Sequence, residues 1–224
     1  MKRLFAPGCA LMLYKPRLAE RLLRTLDENL GGVEMSLTCC RHVPRLPRGA
    51  QVINVCPGCD RRYRKNYADA STVSLWEVLA ETRLLPLPDY AGREMTIIDA
   101  CPTRGRPDVH DAIRTLIRGM NISLVEPERT RERSTCCGDD LWGTVPTDAV
   151  VRRMREKAAE MPVVDIVVHC VSCCEAMFIG GRTPRYLLDL LFGEETVRMT
   201  RDPDVWHGRL DEYIAGHAGD STRA

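Results

Sequence analysis

The 224-residue chain holds eleven cysteines, and their spacing repeats. The first set is Cys9, the doublet Cys39–Cys40 and the C-x-x-C of Cys56 and Cys59. The second is Cys101, the doublet Cys136–Cys137 and the C-x-x-C of Cys170 and Cys173, with Cys174 left over. One thiol, a doublet and a C-x-x-C in the same order twice indicate an internal duplication. A C-x-x-C lets two sulfurs grip one metal from a tight turn, which Gly58 eases in the first half. Neighbouring cysteines bridge each other only with backbone strain, because their Cβ vectors diverge. The count is odd, and "MKRLFAPGCALMLYKPRL" lacks the apolar core and cleavage site of a secretory signal. A cytoplasmic chain with clustered thiols is therefore expected, and metal rather than disulfides. Soft thiolate sites take iron–sulfur clusters, zinc or Cu(I). Five thiols exceed the four of tetrahedral zinc or a conventional cubane, which favours iron–sulfur over structural zinc. Cys174 is expected to be a buried thiol that could stand in for Cys173.

These cysteines need elements to position them. "KRLFAPGC", "QVINVC", "MTIIDAC" and "DIVVHC" are short apolar runs that each stop at a cysteine, the pattern of buried strands. Helical spacing lies between them. Leucines 18, 22, 23, 26 and 30 share a face before Gly31, and residues 109, 113, 116 and 117 do so after Pro107. "TDAVVRRMREKAAEM" predicts a helix with Thr147 as its cap, "TPRYLLDLLFG" one that closes on Gly193, and Trp76 of "VSLWEVLAETRLL" belongs to a helix core. Strands alternating with helices imply parallel pairing and two small α/β lobes. The expected units are 1–92, a shortened first lobe, 93–200, a second lobe, and 201–224, a tail. Ligands in such sheets sit beyond the carboxyl ends of the strands, where these cysteines would gather. Helix N-termini following those turns would stabilise thiolates.

The repeated pattern resembles the cysteine-rich "CCG" domain family typified by the CCG-bearing subunit of heterodisulfide reductase. The resemblance runs over residues 3–192 and is closest in "IIDACPTRGRPDVHDAIRTLI", "STCCGDDLWG" and "DIVVHCVSCCEAMF". It implies two pseudo-symmetric Rossmann-like lobes with one or two non-cubane [4Fe-4S] clusters, each held by five cysteines. Carried over by position, Cys9, Cys39, Cys40, Cys56 and Cys59 would hold one. Cys101, Cys136, Cys137, Cys170 and Cys173 would hold the other. The chain departs from the family at Arg41, which replaces a glycine, and in the fifteen residues between Cys40 and Cys56 against thirty-two between Cys137 and Cys170. The shortfall matches the helix expected at 147–161. Zinc is the alternative at the first motif.

The function this implies is a redox subunit of an anaerobic type, transferring electrons or reducing a small disulfide. Flavin- or ferredoxin-type iron–sulfur subunits would be its partners. The alternative is a non-catalytic scaffold stabilised by zinc, or a subunit for assembling and activating a metallocofactor. A net charge of +1 gives no electrostatic reason for a nucleic acid partner, and no apolar run approaches a membrane span. No dinucleotide fingerprint, P-loop, G-x-S-x-G or H-E-x-x-H occurs. His42 and His169, beside ligand cysteines, are expected to be structural before they are proton donors. Arg104 and Arg106 are ordinary surface charges or anion-attracting groups. "DPDVWHGRLDEYIAGH" predicts a terminal helix that could dock on a partner, and "AGDSTRA" a disordered end.

Overall fold

A computed structural model describes residues 1–37 and 46–217. Cys39, Cys40, His42 and the "AGDSTRA" end lie outside these residues. The chain divides into two compact units, the described residues of 1–84 with 208–224, and 85–207.

The first unit runs β1 (Arg3–Ala6), α1 (Cys9–Tyr14), α2 (Pro16–Leu30), β2 (Val33–Met35), β3 (Gln51–Asn54), α3 (Pro57–Asn66), β4 (Ser71–Ser74) and α4 (Leu75–Thr82). Its sheet is parallel throughout, in the order β2-β1-β3-β4. Proline at the first turn suits α2, since that N–H has no intrahelical partner, and Leu18, Leu22 and Leu26 bury its apolar stripe. A capping box closes the start of α4: Trp76 N–H donates to Ser74 Oγ, and Ser74 N–H donates to Glu77. Trp76 is buried there.

The second unit runs β5 (Glu94–Ile98), α5 (Pro107–Gly119), β6 (Ser123–Val125), α6 (Thr147–Ala159), β7 (Asp165–Val168), α7 (Val171–Ile179), β8 (Thr183–Tyr186) and α8 (Leu187–Phe192). Its order is β6-β5-β7-β8, again all parallel. Helix α9 (Pro203–Gly216) follows. The fold is thus α/β, with two four-stranded parallel sheets of the same topology, as two Rossmann-like lobes require. Among the described residues, the first sheet's unit has no counterpart of α6.

Two expectations need correction. Thr147 is not a cap: it is the first residue of α6, Pro146 holds the cap position, and the Thr147 hydroxyl donates to Asp204 instead. The helix expected from Thr183 begins only at Leu187, because Thr183–Tyr186 pairs with β7 as an edge strand. Edge position is where Pro184 is tolerated. Among the described residues no helix is long and apolar enough to cross a membrane.

Candidate metal centre

In each sheet the chain leaves the first central strand toward one edge and the second toward the other. That reversal falls between β1 and β3, and between β5 and β7. Such a switch point opens a crevice beyond the carboxyl ends of the two strands. Cys9 and Cys56 stand there in the first lobe, Cys101 and Cys170 in the second. Each C-x-x-C straddles a helix start: Cys56 is the N-cap of α3 and Cys170 that of α7, with Cys59 and Cys173 in the first turns. Helix N-termini carry partial positive charge and favour thiolates.

In the second lobe the five expected cysteines form a chain of contacts. Cys173 donates to Cys137 at 3.4 Å, and Cys101 and Cys137 lie close enough to Cys136, and Cys170 to Cys173, for each neighbour to shift the other's thiol. Hydrogen bonds from Cys101 and Cys137 hold the Cys136 thiol far below the usual range, against burial, with help from Asp140 and the Gly138 N–H. The same bond to Cys136 drives Cys101 and Cys137 upward, and the bond to Cys137 does so for Cys173. Asp140 is pushed up to about 6, first by burial and then by Cys136. Cys174 differs: its thiol rises chiefly through burial, not through a bond to a neighbouring thiol. None of the nine described cysteines is in a disulfide.

Gly138 explains why a glycine follows this doublet. Its φ is +107°, and a Cβ there would stand 3.2 Å from the Met154 backbone nitrogen and from the Arg153 and Met154 side chains. In the first lobe, Gly8 has φ +82°, and a Cβ on it would meet Cys56 Cβ at 2.8 Å and Cys59 Sγ at 3.4 Å. That glycine lets the C-x-x-C thiols close over the turn that precedes Cys9. The remaining expected members, Cys39 and Cys40, lie outside the described residues.

The donor set fits a soft metal: five thiols from three remote segments, with Cys137 and Cys173 fully enclosed. The sulfurs touch one another rather than surround a centre. Among the described residues no three His, Cys, Asp or Glu side chains already enclose a metal-sized point. Thiolates about 2.3 Å from one tetrahedral zinc stand about 3.8 Å apart. The 3.4 Å contact must open for any metal to enter.

A polar network lies beneath the second set. Ala100, just before Cys101, donates its N–H to His169 Nε2 at 3.0 Å, and its carbonyl accepts from Thr103 Oγ1 at 2.7 Å. Thr103 Oγ1 therefore accepts from His110 Nε2, 2.9 Å away. Burial lowers both histidines, His169 to about 4, so both are neutral near pH 7. Arg114 forks onto Asp99 through two bonds of 2.9 Å and onto Glu126 at 2.7 and 2.8 Å. Burial would raise Asp99, but Arg114 outweighs it and holds the carboxyl down to about 2. Asp99 also accepts from the Arg131 N–H and, through its carbonyl, from Ser134 Oγ. Of this network the sequence marked only His169. Arg104, exposed, donates to the Ser134 carbonyl, and Arg106 precedes α5 as its N-cap.

Residues 95–178 match the family model of the CCG cysteine-rich domain, a stretch holding all five cysteines of the second set. This segment is thus similar to a CCG cysteine-rich domain, and its clustered thiols suit metal or iron–sulfur binding. No curated protein matches the chain. Among solved structures, Picrophilus torridus aspartate racemase is similar over 96% of this chain and 94% of its own, at 10% identity and a TM-score of 0.35. A likeness that slight carries no argument about fold or function.

Proposed function

We propose that the chain is an iron–sulfur redox subunit related to the CCG-bearing subunit of heterodisulfide reductase. In this reading Cys101, Cys136, Cys137, Cys170 and Cys173 hold one [4Fe-4S] cluster of the non-cubane kind. Cys9, Cys39, Cys40, Cys56 and Cys59 hold a second cluster or a zinc ion. One observation carries it: five thiols make one continuous set at the switch point of the second sheet, one more than zinc takes. When bound, such a cluster supplies one-electron transfer.

The chain's own groups have defined parts. The start of α7 at Cys170 would set partial positive charge beside the ligands, burial of Cys137 and Cys173 excludes water, and neutral His169 ties the Cys101 turn to the Cys170 turn. Reduction of a small disulfide takes two electrons and two protons to give two thiols. A flavin- or ferredoxin-type partner subunit would supply the electrons.

A zinc-stabilised scaffold or cofactor-assembly subunit is the second reading. It is favoured by the 3.4 Å sulfur contact, which needs to open only a few tenths of an ångström for a single ion. Anaerobic isolation separates the two. The proposal expects a brown protein with about four irons per cluster and a paramagnetic signal on oxidation. Cys137→Ala should remove one cluster's iron. A colourless zinc protein, or an iron content unmoved by Cys137→Ala, overturns it.

A further inference from the structure

The two lobes share a topology, so positions can be equated between them. Ala6 pairs with Asn54 at the end of β1, and Ile98 with Val168 at the end of β5. Pro7 and Val55 therefore correspond to Asp99 and His169. Pro16 and Pro107 each open the helix after the first strand, and Leu18, Leu22 and Leu26 match the buried Val109, Ile113 and Ile117. In that frame Ala19 corresponds to His110 and Leu23 to Arg114. These four polar groups beneath the second cysteine set are thus apolar in the first lobe.

That contrast bears on what the network is for. The first lobe builds the same sheet and helix with none of these groups, so the α/β lobe does not need them to fold. A buried ion pair is often no better for stability than apolar side chains of similar size. Retention of Asp99 and Arg114, 1% and 3% exposed, calls for another reason, and the connections supply one. Arg114 sits on α5, in neither cysteine segment. Its guanidinium grips Asp99, two residues before Cys101, and reaches Thr130 Oγ1 and Glu126 in the loop that leads to Cys136. Asp99 binds that loop again at Arg131 N–H and Ser134 Oγ, the latter two residues before Cys136.

We infer that Arg114 is a positioning residue for the second metal site, setting the separation of the Cys101 and Cys136 segments through the fork it makes to Asp99 and Glu126. This rests on these cysteines being metal ligands, but not on the metal being iron. A lysine cannot reproduce it, because a point charge lacks the planar fork that spans two carboxylates.

The test is Co²⁺ titration of the reduced, metal-free full chain carrying Cys56→Ser and Cys59→Ser, so that the second site is read. Thiolate-to-cobalt absorption reports affinity and ligand geometry. Arg114→Lys should weaken Co²⁺ at least tenfold and shift the band. Asp99→Asn with Arg114→Met leaves no orphan charge in the pair; it should keep the native circular dichroism and bind Co²⁺ at least a hundredfold more weakly. Unaltered affinity and spectrum in either variant overturns the inference. So does loss of native circular dichroism in the double variant, which would make the network a requirement of folding. Co²⁺ bound by the parent chain, with no iron in the protein as isolated, sinks the iron–sulfur reading and leaves this one standing; no Co²⁺ bound by the parent sinks both.

Discussion

Ala100 N–H donates to His169 Nε2 at 3.0 Å, joining the residue before Cys101 to the residue before Cys170. The bond fixes the imidazole tautomer: Nε2 accepts, so the proton is on Nδ1. With its pKa lowered to about 4 by burial, His169 holds this state through the physiological range. It links the two switch-point strands just where their cysteines leave the sheet.

His169→Val, which installs the first lobe's residue, should leave the Ala100 N–H buried without that acceptor. The expected cost is about 1–3 kcal/mol, read by denaturant unfolding of the metal-free chain. His169→Gln, which keeps an acceptor, should recover part of it. Equal stability of the valine variant would show the bond to be incidental.

Gly8→Ala forces a side chain to a positive φ, at a cost of about 1–2 kcal/mol, and drives its Cβ to 2.8 Å from Cys56. Lower unfolding stability and weaker metal binding at the first C-x-x-C should follow. Gly58→Ala is the control: it sits inside α3, where a Cβ meets only Cys56 Sγ at 3.6 Å. Zinc or cobalt titration beside calorimetry checks both.

Asp165, at the start of β7 and away from the cysteines, accepts from Arg93 and Arg185. Burial acts to raise its pKa, and the two guanidiniums outweigh it and bring it below the ordinary value. A depressed folded pKa means the contribution is whole above the unfolded value of about 3.9 and fades as pH falls through the folded one. Asp165→Asn should cost about 1 kcal/mol near neutrality, with the gap to wild type closing below about pH 4. A gap constant with pH, by urea unfolding across that range, would contradict the assignment.

Trp206 is 1% exposed, and its indole N–H donates to Ser172 Oγ inside the second C-x-x-C. Asp204 accepts from Trp142 and Thr147, and His207 stacks on Trp142 at 3.9 Å. The start of α9 thus covers the loop after the Cys136–Cys137 doublet. Trp206→Ala should cost about 3–5 kcal/mol and Trp206→Phe about 1 kcal/mol, measured by chemical unfolding. Loss below 1 kcal/mol in the alanine variant would mean that α9 does not brace this site.

The four central strands were legible because they are apolar runs that end at a cysteine, and a buried parallel strand has no other surface to show. The edge strands were not. Val33–Met35, Ser71–Ser74, Ser123–Val125 and Thr183–Tyr186 are three or four residues long and half polar, and one contains a proline. Their extended form comes from pairing with β1, β3, β5 and β7 rather than from their own pattern. Arg114 escaped notice for a related reason. A charged residue on an amphipathic helix is ordinary, and only its burial and its fork onto Asp99 and Glu126 make it unusual.

By itself the sequence determined the duplication, the thiol count in each half and the placement of cysteines at strand ends, because spacing and hydrophobic period are local properties. Only the tertiary structure decided that Cys101, Cys136, Cys137, Cys173 and Cys170 touch in that order, and that Asp99 and Arg114 bind the segments carrying two of them. Those contacts depend on strand order and on the path of the loop after β6, and neither leaves a period in the chain.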